Sequence, residues 1–394
     1  MDHPKLTSTL LSIALLSLAR GAHADTPGPA LELPPEEDMV AAPNAVTIGG
    51  YGELHYTANV PEEGPRSNEI DMHRMVLYIG KQFNNRIRFA SELEIEHAIA
   101  GNGNVGEVSV EQALIDYRFT DEQSGTGIMG IRAGIMLVPM GIVNQWHEPP
   151  LFHGVERPTV DKLIIPSTWR EGGIGFYHEP TERLSYELYV MGGLNPMKFS
   201  SSKGIRGGRQ KVGEARTDGL AFAGRAQFEP TGQSVLGVSG YFNRAGKNSD
   251  AVDADVSVVG FSADARGKFA GIEAKAEFAL FMVGDTNALN AVTDADGVSI
   301  TDVADTLVGV YGELAYDVFH TMTMTEQLLP FARVEYYDTD PNDDTKSVID
   351  IITGLTFRPI PQVAFKADVV FRRKGGDVQG DNVTLVNLGV GFLY

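Results

Sequence analysis

Cysteine is absent from this sequence, so no disulfide scaffold can form. After its first two dozen residues, the chain has no apolar run of about 18 residues, the minimum for a transmembrane helix. Basic residues are also few: 32 Lys and Arg stand against 52 Asp and Glu, and the formal net charge is −20. This balance speaks against nucleic acid as a partner. The absences therefore exclude disulfide-rich scaffolds, helical membrane anchors and nucleic-acid binders.

The N-terminal segment has the order of parts of a secretory signal peptide. An apolar run from Leu10 to Ala19 follows a short polar start, and Ala22-His23-Ala24 forms an A-x-A cleavage site. We therefore expect residues 1–24 to be removed by cleavage after Ala24. Residues 25–43, rich in proline and acidic residues, are expected to form a flexible periplasmic lead-in, and 44–394 a single domain.

That domain consists of short alternating runs separated by turn-like residues. The runs lie at 47–58, 70–83, 87–97, 107–119, 128–142, 172–179, 184–194, 219–229, 234–245, 254–269, 271–284, 306–319, 326–338, 347–358, 362–374 and 382–394. Most have about the length that a tilted strand needs to cross a bilayer. Short turns such as Asn84-Asn85-Arg86 alternate with long loops at 143–171, 195–218 and 285–305. This alternation is typical of an outer-membrane barrel.

Apolar and charged residues occupy opposite faces of these runs. In 87–96, Phe89 and Ile95 share one face, whereas Glu92 and Glu94 share the other. The 44 glycines suit strongly tilted strands whose backbones crowd. The sequence therefore predicts an all-β fold: a 16-stranded antiparallel transmembrane β-barrel with long external loops, short periplasmic turns and a wet lumen.

Residues 387–394 alternate in side-chain polarity and end on an aromatic residue. Their order resembles the C-terminal signal by which bacterial outer-membrane proteins are recognised for insertion, with Gly389, Phe392 and Tyr394 at its defining positions. We therefore expect the sixteenth strand to close against the strand around Tyr51 to Tyr56. The same resemblance implies the barrel assembly machinery as a partner.

Charged residues on the predicted lumen face suggest how a pore would select solutes. The basic ones concentrate near the periplasmic strand ends, and acidic residues, including Glu92 and Glu94, lie further toward the outside. Charged rings favour one sign of ion, so the basic residues could form an anion-selecting collar. Alternatively, opposite charges pair across neighbouring strands and keep the wall wet. The basic residues are Arg88, Arg118, Arg132, Arg266, Lys268, Lys275, Arg358 and Lys366.

The connection at 143–171 is the longest loop and follows the fifth strand. It contains His147, Glu148, His153, Glu156 and Arg157. The two histidines and two glutamates could be read as a metal site, but their spacing matches no helical zinc motif and prolines interrupt the segment. We therefore predict a structured loop that constricts the channel, and no metal.

The loop at 195–218 is strongly basic. Its cations could gather anions at the mouth by electrostatic steering, bind lipopolysaccharide phosphates, or simply be solvated. They are Lys198, Lys203, Arg206, Arg209, Lys211 and Arg216.

Several segments together make the sequence similar to the phosphate-selective porin O and P family. They are Gly50-Tyr51-Gly52-Glu53-Leu54-His55-Tyr56, Arg86-Ile87-Arg88-Phe89, Ser91-Glu92-Leu93-Glu94-Ile95-Glu96-His97, Leu137-Val138-Pro139-Met140-Gly141, His147-Glu148-Pro149-Pro150 and Trp169-Arg170-Glu171. The resemblance implies a homotrimeric outer-membrane channel that folds an external loop into its lumen. It also implies an arginine-lined path and a lysine cluster in phosphate-specific members, which these residues do not reproduce position by position.

The expected function is passive diffusion of small hydrophilic solutes through the outer membrane, with anion or phosphate preference left open. The alternative is a non-transporting barrel that acts as an adhesin or envelope-structural protein, which would have a plugged lumen. No catalytic constellation stands out, so we predict neither an enzyme nor a cofactor. Outer-membrane lipid and lipopolysaccharide are the expected surroundings.

Overall fold

Sixteen antiparallel strands form one closed sheet in the computed structural model, which describes residues 46–120, 124–217, 219–245, 255–293, 299, 301–376 and 382–394. Each strand pairs with its neighbours in sequence, and β1 pairs with β16. The strands are β1 Val46–Pro61, β2 Ser67–Asn84, β3 Ile87–Glu96, β4 Val108–Arg118, β5 Ile128–Leu137, β6 Arg170–Thr181, β7 Leu184–Gly192, β8 Leu220–Thr231, β9 Ser234–Arg244, β10 Ser257–Phe269, β11 Ile272–Val283, β12 Thr306–Tyr316, β13 Gln327–Asp338, β14 Ser347–Ile360, β15 Val363–Lys374 and β16 Val383–Leu393.

The closing pair confirms the expected register. Tyr51 lies opposite Leu393, and Tyr56 lies opposite Leu388. Beyond this ladder, the backbones of Gly50 and Tyr394 exchange two hydrogen bonds of 2.8 and 2.9 Å. Closure leaves the sheet without an unpaired edge, which is the condition for strands to cross lipid.

The strand faces are inverted relative to a water-soluble protein. On β9 the apolar Leu236, Val238 and Phe242 are exposed, whereas Ser239 and Asn243, at alternate positions, are buried. The same holds on β15, where Phe365 is exposed and Lys366 is buried. An apolar outer face over a polar inner face is the pattern of a barrel in a membrane.

Connections alternate in length as predicted. One end of the barrel, here called the short-turn end, has turns as brief as Asn85-Arg86 and Ala270-Gly271. The opposite, long-loop end carries the connections 138–169, 193–219 and 284–305, the last of which contains the short helix α1 (Thr286–Asn290). Among the described residues, no helix is both long and apolar enough to span a membrane. The expected signal peptide, 1–24, and lead-in, 25–43, lie outside the described residues.

Candidate functional site

Charged side chains of the strands are buried on the inner face of the barrel. At most 8% of each is exposed for Glu53, Arg74, Glu92, Glu94, Glu111, Asp116, Arg225, Asp264, Arg266, Glu273, Glu277, Glu313, Arg333, Glu335, Asp350, Arg358, Lys366 and Asp368. A wide aqueous channel would leave such a wall in contact with water. Other parts of the chain therefore cover it.

The cover is the connection between β5 and β6, residues 138–169, here called the interior loop. It lies inside the barrel and packs against β11, β12 and β13 on one side and β1, β15 and β16 on the other. Asn144, His147, Val160, Asp161 and Trp169 of this loop have no exposed surface. The loop therefore covers the charged wall on both of these sides.

Asn144 ties the two ends of the interior loop together. Its side-chain amide donates to the carbonyls of Val138 (2.7 Å) and Trp169 (3.0 Å), and its Oδ1 accepts from the Trp169 backbone N–H (2.6 Å). All three bonds are buried, so they close the base of the loop where the sheet cannot supply partners.

Carboxylates of the barrel wall accept hydrogen bonds from the backbone of the interior loop. Ile142 N donates to Glu277 on β11 (3.2 Å), and Val155 N donates to Asp368 on β15 (2.6 Å). Glu335 on β13 accepts from Thr159 N (2.5 Å). Irregular backbone inside a barrel needs such partners, because buried unpaired N–H groups are costly.

His147 and Glu148 contact the wall on the β2–β4 side. His147 Nε2 lies 3.3 Å from Glu92 Oε1 and 3.6 Å from Glu111 Oε2. Burial alone would lower the pKa of His147, but hydrogen bonds to Glu111 and Glu92 raise it to about 10. The imidazole is therefore charged at neutral pH. Glu148 Oε1 accepts from the Tyr78 hydroxyl (3.3 Å).

His153 and Glu156 contact other strands of the wall, and Arg157 contacts the interior loop itself. His153 Nε2 lies 3.1 Å from Glu273 of β11, and burial lowers the pKa of this imidazole. Glu156 binds His55 on β1 (3.2 Å) and Lys162 (2.7 Å). Arg157 donates to the His147 carbonyl (2.9 Å). The four metal-type residues of this loop thus face different strands and do not converge on one ion.

The basic loop at 193–219 holds the interior loop. Arg206 donates to the carbonyls of Lys162 (2.8 Å) and Ser167, and Arg209 donates to those of Pro166 (3.1 Å) and Thr168 (2.8 Å). These two arginines are bound to backbone carbonyls of the interior loop. Lys211 pairs with Glu107 (3.0 Å). Sequence reasoning missed this role, because it depends on contacts 39 to 44 residues apart that leave no local pattern.

Five of the basic residues predicted for the lumen face lie near carboxylates of the wall or near the short-turn end. Arg88 and Arg132 both contact Asp116 (3.3 and 3.0 Å) at the short-turn end, where Arg118 also lies. Lys268 and Arg358 both contact Glu273 (3.2 and 3.7 Å). The contacts of Arg88, Arg132 and Lys268 join neighbouring strands, whereas Arg358 on β14 reaches Glu273 on β11.

The remaining three basic residues contact the interior loop. Arg266 lies over the Trp146 ring, 3.9 Å from its centroid, and Lys366 lies over Phe152 at 3.7 Å. Lys275 donates to the Leu151 carbonyl (2.7 Å) and lies 3.9 Å from Glu313. Arg266 and Lys275 also line a cavity of about 30 Å³ beside the loop, room for on the order of one or two water molecules.

A group of possible metal ligands lies at the long-loop end, and sequence reasoning missed it. Asp71, His73 and His97 offer ligand atoms within 4.8 Å of one another, and His55, His73 and Glu156 do so as well. Glu92, Glu111 and His147 form a third such group, fully buried where the interior loop meets the wall. Asp71 and His73 are separated by one residue, but His97 joins them only through the pairing of β2 with β3.

One curated relative shares most of this chain. A protein of Aquifex aeolicus (strain VF5), described as an uncharacterized protein, is 36% identical over 343 residues, which cover 82% of this chain and 75% of the relative. The chain belongs to the same family as this Aquifex protein. No family model matches the sequence.

Solved structures share the fold of this family at low sequence identity. An anion-selective porin from Comamonas acidovorans superposes with a TM-score of 0.59 at 11% identity, covering 89% of this chain and all of that one. The outer-membrane channel DcaP of Acinetobacter baumannii gives 0.59 at 11% identity over 90% of this chain and 98% of that one. Salmonella typhi OmpF gives 0.59 at 12% identity, with 89% and 98% covered. The family therefore has the barrel fold of outer-membrane porins.

Proposed function

We propose that this chain is an outer-membrane channel of porin type, whose interior loop limits passage to small hydrophilic solutes and ions. The observation that carries the proposal is the loop itself. It lies inside a closed sixteen-stranded barrel and is held by hydrogen bonds and ion pairs of the polar wall. A polar wall and a polar loop suit the passage of hydrophilic solutes, because charged and hydrogen-bonding groups line the path.

Planar bilayer recording tests this proposal. The wild-type protein should give small, infrequent conductance steps, because the wall charges beneath the loop are buried. Releasing the loop by the double substitution Arg206→Ala and Arg209→Ala should raise the conductance. Lys203→Ala is the matched control, because Lys203 is an exposed cation of the same basic loop. If the wild type and both variants gave no conductance, the channel proposal would be wrong.

The finer proposal is anion preference. It is supported by Arg88 and Arg132, which both contact Asp116, with Arg118 on the same strand as Asp116. Arg132 also lies 3.8 Å from Glu187. Replacing Arg88, Arg118 and Arg132 together by alanine should shift the reversal potential in a salt gradient toward cations. An unchanged reversal potential would show that these residues do not select ions. Block of chloride current by sub-millimolar phosphate would support the phosphate preference that the quoted motifs imply.

A non-transporting barrel is the second candidate, and the buried wall favours it. In that case the interior loop is a permanent plug, and the external loops carry adhesion or an envelope-structural role. Conductance that stays absent after loop release, in a protein that remains folded, would decide for this candidate.

We further propose export with cleavage after Ala24, residence in the outer membrane with lipopolysaccharide contacts, assembly by the barrel machinery and a homotrimer. Cross-linking in native membranes tests the trimer.

A further inference from the structure

Three histidines converge at the long-loop end of the barrel. They are His55 on β1, His73 on β2 and His97 just after β3. From residue 25 onward the chain has only four others, His147, His153, His178 and His320. His55 stacks on His73 with ring centroids 4.7 Å apart, and His73 meets His97 edge-on at 5.8 Å. Such a concentration in one corner of a large barrel points to a purpose beyond packing.

Asp71 lies between His73 and His97 and contacts both. His73 Nδ1 is 3.1 Å from Asp71 Oδ2, and His97 Nδ1 is 2.9 Å from both Asp71 carboxylate oxygens. Two ligands that share an ion at about 2.1 Å lie roughly 3.0 to 3.4 Å apart. The His73–Asp71 distance lies in this range and the His97–Asp71 distance just below it, and the ligand atoms of all three residues lie within 4.8 Å of one another.

A β-bulge aims His73 into this group. In the pairing of β1 with β2, Glu53 lies opposite Arg74 and Leu54 lies opposite Met72, so His73 has no partner. The extra residue changes which positions of β2 face inward. Bulges commonly re-aim side chains at sites of function. His97 is fixed next to it, because its backbone is left-handed (φ 55°) and its N–H contacts the His73 carbonyl at 3.4 Å.

The side chains of this group are partly exposed to solvent. The side chains of His73, His97 and Asp71 are 23%, 32% and 17% exposed. By contrast, His147 with Glu92 and Glu111 is sealed, with no exposed side-chain surface. An ion could therefore enter the first group without movement of the interior loop.

We propose that Asp71, His73 and His97 form a binding site for a first-row divalent transition-metal cation, with Zn²⁺ as the representative ion. Two imidazole nitrogens and one carboxylate suit Zn²⁺ and its neighbours, whereas Ca²⁺ and Mg²⁺ prefer all-oxygen sites. Three protein ligands leave positions for water, so the ion would exchange with the medium. The site does not depend on whether the barrel conducts.

Zinc titration of the folded, EDTA-treated protein tests the site. Isothermal titration calorimetry with Zn²⁺ should give one site per chain that millimolar Ca²⁺ does not displace. His73→Ala, His97→Ala and Asp71→Asn should each weaken binding at least about tenfold. His178→Ala is the matched control, because His178 lies on β6 and binds the Tyr186 hydroxyl and the Thr126 carbonyl. It should bind Zn²⁺ like the wild type.

A second variant and a spectroscopic measurement complete the test. His97 lies outside the strands, so His97→Gln serves if a strand variant does not fold, and folding is checked by heat-modifiable gel migration. Co²⁺ bound in place of Zn²⁺ should show visible absorption bands that His97→Gln abolishes. Equal Zn²⁺ affinity in wild type and His97→Gln would overturn the site. Loss of binding in Glu156→Gln alone would overturn the ligand assignment, since it would move the ion to His55, His73 and Glu156.

Discussion

His147 shows how a single residue ties the interior loop to the wall. Its pKa is raised from the ordinary 6.5 to about 10, against the effect of burial, by Glu111 and Glu92. A base whose pKa is raised by folding contributes stability that is complete below pH 6.5 and is lost as pH rises through about 10. The loop should therefore loosen in alkali.

The first prediction concerns this alkaline loosening. Both tryptophans of the chain, Trp146 and Trp169, lie in the interior loop, so their fluorescence reports on it. Between pH 7 and pH 10.5 the urea midpoint of the wild-type fluorescence transition should fall. His147→Gln should lower the free energy of unfolding at pH 7 by about 3 kcal/mol or more, and the urea midpoint with it, because Glu92 and Glu111 lose a charged partner. It should also remove most of the pH dependence; a variant that keeps the full alkaline slope would refute the assignment.

The second prediction concerns Gly141, where the interior loop turns after Met140. Its φ is +69°, and a Cβ there would lie 2.5 Å from Glu277 Oε1 and 2.6 Å from Ile165 Cδ1. Gly141→Ala should destabilise the loop by about 1–2 kcal/mol from the left-handed backbone alone. The measure is again the urea midpoint of tryptophan fluorescence. Gly312→Ala is the control, because a Cβ at Gly312 meets nothing within 4 Å, and equal midpoints for the two variants would contradict the prediction.

At the scale of elements, two loops lock one another. Arg206 and Arg209 of the basic loop bind four carbonyls of the interior loop. The third prediction is that replacing both by alanine exposes the interior loop to trypsin at Arg157 and Lys162. Cleavage of folded protein, followed by mass spectrometry, should be at least about tenfold faster than in wild type. Lys203→Ala should leave the rate unchanged, and an uncut double variant would mean that the wall alone holds the loop.

The sequence was informative about strands and uninformative about the path of the interior loop. Alternation such as Phe365 beside Lys366 is a local signal, because each strand separately meets lipid on one side. The loop depends on contacts such as that of Ile142 with Glu277, 135 residues away, which leave no periodic trace. The bulge at His73 also leaves no pattern in the sequence, because it exists only in the pairing of β1 with β2.

Some ambiguity in the sequence has a simple structural cause. Arg74 and Lys81 on β2 fall on opposite faces, so charge alone does not mark the inner face of that strand. Arg74 is buried and pairs with Glu53 at 2.6 Å. Lys81 instead lies over the Phe83 ring, 5.7 Å from its centroid, near the short-turn end. A lysine at that end can extend toward water while its stem stays on the apolar face.

For the whole molecule, the closing strand has two tasks. Tyr394 donates its hydroxyl hydrogen to the Val76 carbonyl (3.0 Å), and the Phe392 ring occupies the space beside Gly52. The inner face of the same strand leaves room for the interior loop, because a Cβ at Gly391 would lie 2.4 Å from Pro149. The proposed insertion signal therefore overlaps with the part of β16 that contacts the interior loop.

The fourth prediction separates these tasks. Phe392→Ala with Tyr394→Ala should lower the assembled, heat-modifiable fraction in cells severalfold, while tryptophan fluorescence of the assembled remainder stays native. Leu388→Ala, an exposed apolar position on the same strand, is the control. Gly391→Val should leave the assembled fraction unchanged and shift the tryptophan fluorescence, because the new side chain would meet Pro149 of the interior loop. Equal assembly of the double variant and the control would argue against the insertion signal.

The wall carboxylates that hold the interior loop have a consequence for the order of events during assembly. Residues 138–169 are made early, but their partners Glu277, Glu335 and Asp368 belong to β11, β13 and β15. The loop therefore cannot satisfy its own backbone until the late strands have arrived. A barrel without its final hairpin would lack Asp368, the acceptor for the Val155 N–H. The loop gains its full set of wall acceptors only when that hairpin has been added.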